Sequence, residues 1–138
     1  MHFKIATLIS TFIFSTIPLF AYADIIVTDN TNSPATGLVD GACTSIAGRQ
    51  GIVQPHGSLT ISQSTLNKYC KSCTLDVYMT KDCLFSGHGK IAIAYINKNE
   101  GITNIVMEKG SNYKINWTKN SAVIEDGSKE SIFKKLFG

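Results

Sequence analysis

The feature that most constrains this chain is a period of two. Leu59 and Ile61 alternate with Ser58, Thr60 and Ser62. Leu75, Val77 and Met79 alternate with Asp76, Tyr78 and Thr80, and Tyr113, Ile115 and Trp117 with Lys114, Asn116 and Thr118. Side chains spaced this way lie on opposite faces of an extended strand, one dry and one wet. Between the runs stand turn formers: the cluster Asp29-Asn30-Thr31-Asn32-Ser33-Pro34, then Asp40-Gly41, Pro55-His56-Gly57, Lys109-Gly110-Ser111 and Lys119-Asn120-Ser121. Short strands about ten residues apart predict an all-β fold, an antiparallel β-sandwich or a barrel-like relative of it.

Residues 90–96 read differently. Ile91, Ile93 and Tyr95 share one face, and Ala92, Ala94 and Ile96 the other. A strand apolar on both faces is expected at the centre of a sheet, covered on both sides. Residues 90–96, 102–108, 113–118 and 122–125 follow one another through short turns and are expected to form a C-terminal meander. Ile25-Ile26-Val27 and Thr36–Val39 read as short strands, and Thr44–Gly51 as a loop. Residues 64–69 have room for one helical turn, capped by Ser64.

Residues 1–23 stand outside this pattern. Met1-His2-Phe3-Lys4 is followed by an uncharged, mostly apolar run and then by Ala21-Tyr22-Ala23. That is the order of a secretory signal peptide with small residues at the cleavage site, so the exported chain is expected to begin at Asp24. The apolar run is short for a span of ~20 residues and contains Ser10, Thr11, Ser15, Thr16 and Pro18. The expected organisation is a signal peptide over 1–23, one β-sandwich domain over 24–127, and a tail over 128–138. The expected location is secreted or periplasmic.

Export gives the cysteines their meaning. Cys43, Cys70, Cys73 and Cys83 are an even set, which in an oxidising compartment reads as two disulfides. If residues 74–80 are extended they cover ~20 Å, whereas bridged Cα atoms lie within ~7 Å. Cys73 and Cys70 therefore sit too far from Cys83, and the pairing expected is Cys70 with Cys73 and Cys43 with Cys83. Two other uses of the thiols are open to this sequence. Cys70-Lys71-Ser72-Cys73 matches a redox pair, but Thr74-Leu75-Asp76-Val77-Tyr78 follows as a strand, without the βαβ setting of thioredoxin-like proteins. Zinc held by Cys70, Cys73, Cys83 and either Cys43 or His88 lacks the usual second ligand pair. No metal or cofactor is expected.

Charge excludes one partner class. From Asp24 to Gly127 nine Lys or Arg balance nine Asp or Glu. No basic field exists to hold nucleic acid. The excess of positive charge lies in the tail, where Lys129, Lys134 and Lys135 surround Ile132, Phe133, Leu136 and Phe137. Those four apolar residues make one stripe on a short helix. Ile132, Phe133, Lys134, Lys135, Leu136 and Phe137 are thus candidates for contact with a partner or a membrane surface.

Candidates for catalysis are sparse. His56 and His88 sit beside glycines in turns, and Asp76, Asp82, Glu100, Glu108, Glu125 and Asp126 are scattered. No G-x-S-x-G elbow and no H-E-x-x-H occurs. Two carboxylates converging across strands would suit a glycosidase. Tyr113 and Trp117 share a strand face, either a glycan-stacking platform or part of the core.

The segment Cys73-Thr74-Leu75-Asp76-Val77-Tyr78-Met79-Thr80-Lys81-Asp82-Cys83, then Ser86-Gly87, residues 91–96 and Glu100-Gly101-Ile102, resembles a group of small exported β-rich proteins of gammaproteobacteria that live inside host cells. That resemblance implies export and a sandwich and supplies no catalytic residue. A fainter likeness to thaumatin-like proteins rests on Ile25-Ile26-Val27 and on Gly48-Arg49-Gln50 leading to Gly57-Ser58-Leu59-Thr60-Ile61. That family's dense cysteine pattern is missing here. The function expected is that of a small exported binding protein, not an enzyme, with a protein or a glycan as partner. The alternatives are a secreted hydrolase of glycan or cell-wall material, and a membrane-active protein working through its tail.

Overall fold

The structure, a computed structural model, describes residues 24–83 and 89–127. The expected signal peptide, His88 and the tail residues Ile132, Phe133, Lys134, Lys135, Leu136 and Phe137 lie outside the described residues. Within them the chain is mostly β, in two sheets. Its strands are β1 (Ile25–Asp29), β2 (Thr36–Val39), β3 (Ala42–Cys43), β4 (Ser58–Ile61), β5 (Ser72–Tyr78), β6 (Lys90–Asn97), β7 (Gly101–Met107), β8 (Tyr113–Thr118) and β9 (Ser121–Asp126). The first sheet runs β4-β1-β9-β8 and the second β3-β2-β5-β6-β7.

The alternation read from sequence decides which side chains meet. In the first sheet Ile25 and Val27 pair with Ile61 and Leu59, and Ala122 and Ile124 pair with Trp117 and Ile115. In the second, Leu75 and Val77 pair with Ala94 and Ala92, which pair in turn with Ile105 and Met107. The two inner faces share a core. One cluster joins Ile25 and Ala122 to Ala94, Ile96 and Ile102, and another joins Ile124 to Val77, Ile91 and Ala92. Stacked sheets of a sandwich meet in this way. Ile25 and Ile124 are each 1% exposed, and burying such a side chain contributes ~1.5–3 kcal/mol.

Two expectations are corrected at the level of topology. The last four strands are not one meander: β6 and β7 form a hairpin in the second sheet, β8 and β9 a hairpin in the first. The turn after β7 crosses between the sheets. Nor is the fold wholly antiparallel. β1 lies parallel to β9, with Val27 beside Ala122 and Asp29 beside Ile124. Parallel neighbours need a long connection, and here almost the whole chain supplies it.

Two further corrections are local. Thr44–Gly51, expected as a loop, forms 3-10 turns kinked at Gly48. Thr44 Oγ1 donates to the Gly51 carbonyl at 2.7 Å and closes that segment on itself. The helix α1 spans Gln63–Tyr69 and is capped by Ser62, not Ser64. Ser62 follows β4 with the extended backbone that a cap needs, and its Oγ accepts from the Thr65 N–H at 3.2 Å. The helix buries Leu66 against the first core cluster and leaves Tyr69 outside.

The cysteines pair as Cys43 with Cys83 and Cys70 with Cys73, at Cα separations of 5.5 and 5.2 Å. β5 is extended through Tyr78 between Cys73 and Cys83, so this is the connectivity its length requires. Every cysteine is consumed, which leaves no thiolate for zinc. Cys70 caps the C-terminus of α1. The redox reading needs the opposite end of a helix, where the dipole would favour a thiolate.

Candidate functional site

Strand β6 presents the main surprise. It is central, flanked by β5 and β7, and Ile91 is buried as expected, but from Ile93 on it is not covered on both sides. Ala92, Ala94 and Ile96 are buried in the core, whereas outward-facing Ile93 is half-buried and Tyr95 is 38% exposed. The register extends this open face sideways. Ile93 lies between Asp76 of β5 and Val106 of β7, and Asp76 lies beside Leu38 of β2. Val106 is 47% exposed. An apolar stripe of Leu38, Ile93 and Val106 therefore crosses the outer face of the second sheet. It is interrupted by Asp76, which pairs with Lys90 at 3.7 Å.

One register step along, the same face opens into a depression of about 560 Å³. Its floor is Thr74 of β5 beside Tyr95 of β6. One wall is the β2–β3 turn, which brings Asp40. The other is the β6–β7 turn, which brings Asn97 and Glu100, with Thr103 at the start of β7. Ser72 and the half-buried Cys73 close the near end.

Local backbone chemistry fixes these walls. Asp40 stands at a φ of 48°, followed by Gly41 at 81°, the left-handed pair that a two-residue hairpin turn demands. Asn97 Oδ1 accepts from the N–H groups of Asn99 and Glu100 at 2.8 and 3.3 Å and so holds the opposite turn. Gly101 has a φ of 79°, and a Cβ there would lie 2.2 Å from the Lys119 carbonyl oxygen. Only glycine lets this turn approach the β8–β9 turn so closely. The neighbouring Ile102 N–H then donates to that same carbonyl at 2.8 Å. A bulge follows, where the ladder shifts between Tyr95 and Ile96. Thr103 is the extra residue, and its Oγ1 donates to the Tyr95 carbonyl at 3.1 Å. Bulges of this kind re-aim the side chains beside them.

Two of the carboxylates considered from sequence are engaged with lysines on different sheets. Asp76 pairs with Lys90, and Glu125 pairs with Lys114 at 3.7 Å on the other sheet while accepting from Asn116 at 3.2 Å. Glu108 sits in the turn between the sheets. Of these Glu100 alone lines the depression, as does Asp40, which sequence had marked as nothing more than a turn residue. Among the described residues no group of three or more His, Cys, Asp or Glu is placed to hold a metal ion. His56 is exposed, with a φ of 59°, and its Nε2 lies 2.7 Å from Asn32 Oδ1. Tyr113 and Ile115 pack on the core, and Trp117 continues that inner face to the rim, 38% exposed. The aromatic ring offered from an outer face is Tyr95 instead. The signal that marked it was the two-faced apolar pattern of residues 90–96.

Among the described residues no helix is long and apolar enough to cross a membrane. No family model matches the chain, and no curated protein matches it. A solved structure does: that of NttC, a Legionella pneumophila type II secretion system substrate. The match has a TM-score of 0.54 and 13% sequence identity, and it covers 75% of this chain and 97% of the other. At that identity the likeness is one of fold. It agrees with the sandwich implied by the resemblance to small exported β-rich proteins and brings nothing to the thaumatin-like one.

Proposed function

We propose that this chain is an exported binding protein whose partner engages the outer face of the second sheet. The observation that carries this reading is the exposure of Tyr95 and Val106 and the half-exposure of Ile93, the first and last on a strand that sequence alone would cover on both faces. Apolar residues placed together on an open face are a common mark of an interaction surface. Export is supported by the signal-like residues 1–23, by two disulfides of the kind kept in oxidising compartments, and by a fold neighbour that is itself a secretion substrate.

The test is capture from host lysate and from cell envelope by the full chain, exported and purified. Capture should fail for Ile93→Asp and Tyr95→Ala while far-UV circular dichroism stays unchanged. Capture that survives both substitutions would remove this face from the mechanism.

A second reading, a secreted glycan hydrolase, draws support from Asp40 and Glu100 lining one depression. It requires turnover of peptidoglycan or another glycan that disappears in Asp40→Asn and in Glu100→Gln. Absence of turnover in the parent protein rejects it.

A further inference from the structure

We infer that the depression around Tyr95 is a saccharide site that takes a neutral or amine-bearing oligosaccharide and rejects acidic ones. This rests on the reading of the outer face as the ligand-facing surface and adds the chemistry of the ligand.

Three observations converge on that class. The depression is lined by Tyr95, a residue 38% exposed. Pyranose rings have an apolar C–H face that stacks on an aromatic ring, and tyrosine combines such a face with a polar edge. The residues that line the depression with Tyr95 include Thr74, Asn97, Asp40 and Glu100, all of types that bond to hydroxyls. Ionised carboxylates accept only, which suits the many O–H donors of a sugar. The third observation is charge. No Lys or Arg lines the depression, and both its ionisable walls are acidic. A uronic acid or a phosphate would meet two like charges with no cation to answer them, whereas an amino sugar would meet two partners.

Shape agrees with this. Because the depression is open to solvent, a segment of a longer chain can lie across it. The walls are preformed: Asn97 braces one turn, and Gly101 with Ile102 ties it to the other sheet. Binding therefore does not have to order a loop, a cost that otherwise subtracts from affinity.

The experiment is titration calorimetry on the full, exported chain with three probes. They are oligomers of N-acetylglucosamine, of glucosamine and of galacturonic acid. The expected result is binding of one or both of the first two and none of the third. Tyr95→Ala should weaken that binding by about tenfold or more, the loss of one stacked ring, while Tyr95→Phe retains it. Thr74→Tyr, an exposed position beside Tyr95, should block the depression without touching the core. Asp40→Asn with Glu100→Gln should weaken glucosamine oligomers more than their acetylated counterparts. Failure of all three probes, preference for the acidic one, or binding that survives both Tyr95→Ala and Thr74→Tyr would overturn the proposal. If the saccharides fail while Ile93→Asp still abolishes capture of a protein, the ligand class is wrong and the surface stands. If capture and saccharide binding both ignore these substitutions, the surface is wrong as well.

Discussion

Asp29 shows how far a single residue can be read before its surroundings are known. Its place at the head of a turn-forming cluster was legible, and the turn is built as such residues build it. Oδ1 accepts from the Thr31 N–H at 2.9 Å and from the Thr31 hydroxyl at 2.7 Å. Its burial was not legible, because the groups that meet it come from segments distant in sequence. The Asp29 N–H donates to Gly57, and the Asn30 N–H to Ile124. Asp29 is 0% exposed, and its Oδ2 has no hydrogen-bond partner among the described residues. Burial raises its pKa above the ordinary 3.8. The Thr31 bonds and the nearby His56 oppose that rise, and Asp126 adds to it. Between 3.8 and the raised value the folded state holds more protons than the unfolded one, so stability falls as pH rises through the folded-state pKa. Asp29→Asn is expected to lose that slope. In urea titrations at pH 7 and pH 4, the balance between parent and variant should move towards the parent on acidification. A constant difference at both pH values would mean that the carboxyl titrates normally. Thr31→Val, which deletes one of the two donors, should cost ~1–3 kcal/mol at pH 7.

Elements were more legible than their partners. Alternation located β4, β5 and β8 because each keeps one face in the core, and a one-residue slip would have turned its whole apolar set to water. Pairing lay beyond that signal, since period two names a face and never a neighbour. That is why a run of four strands read as a meander became two hairpins. β6 was misread for a different reason: an apolar outer face is normally a buried one, and here the exception marks the candidate site. The disulfides bring the pairing problem to an experiment. Cys43–Cys83 closes a separation of 40 residues and fastens the short edge strand β3 to the segment after β5, whereas Cys70–Cys73 closes a separation of 3. Loop-closure entropy then assigns about 4 kcal/mol to the first and about 2 kcal/mol to the second. Replacing Cys43 and Cys83 together with serine should lower the denaturation midpoint by roughly twice as much as replacing Cys70 and Cys73. Equal losses would show that packing around the sulfurs, and not the length of the closed loop, sets their worth.

At the scale of the whole molecule, the parallel contact between β1 and β9 decides what can be removed. These strands hold the centre of the first sheet, with β4 and β8 outside them. No local pattern announces this, because the two strands come from opposite ends of the described chain. β9 brings Ala122 into one core cluster and Ile124 into the other, and it gives β1 and β8 their inner neighbour. A chain stopped after Asn120 leaves β1 with a single partner and opens both clusters. Truncating a buried Ile to Ala alone costs ~2–5 kcal/mol, against a total stability of ~5–15 kcal/mol for a domain. Such a chain should show no cooperative unfolding transition. A chain stopped after Gly127 keeps every strand of the described residues, and the Gly127 N–H still donates to the Asn112 carbonyl at 2.9 Å to close the sheet end. It should retain its far-UV circular dichroism and melt within a few degrees of the parent. Loss of sheet signal on stopping at Gly127 would place part of 128–138 in the core. A cooperative melt from the chain ending at Asn120 would mean that the second sheet folds without the first, and that the shared core is not what holds the two together.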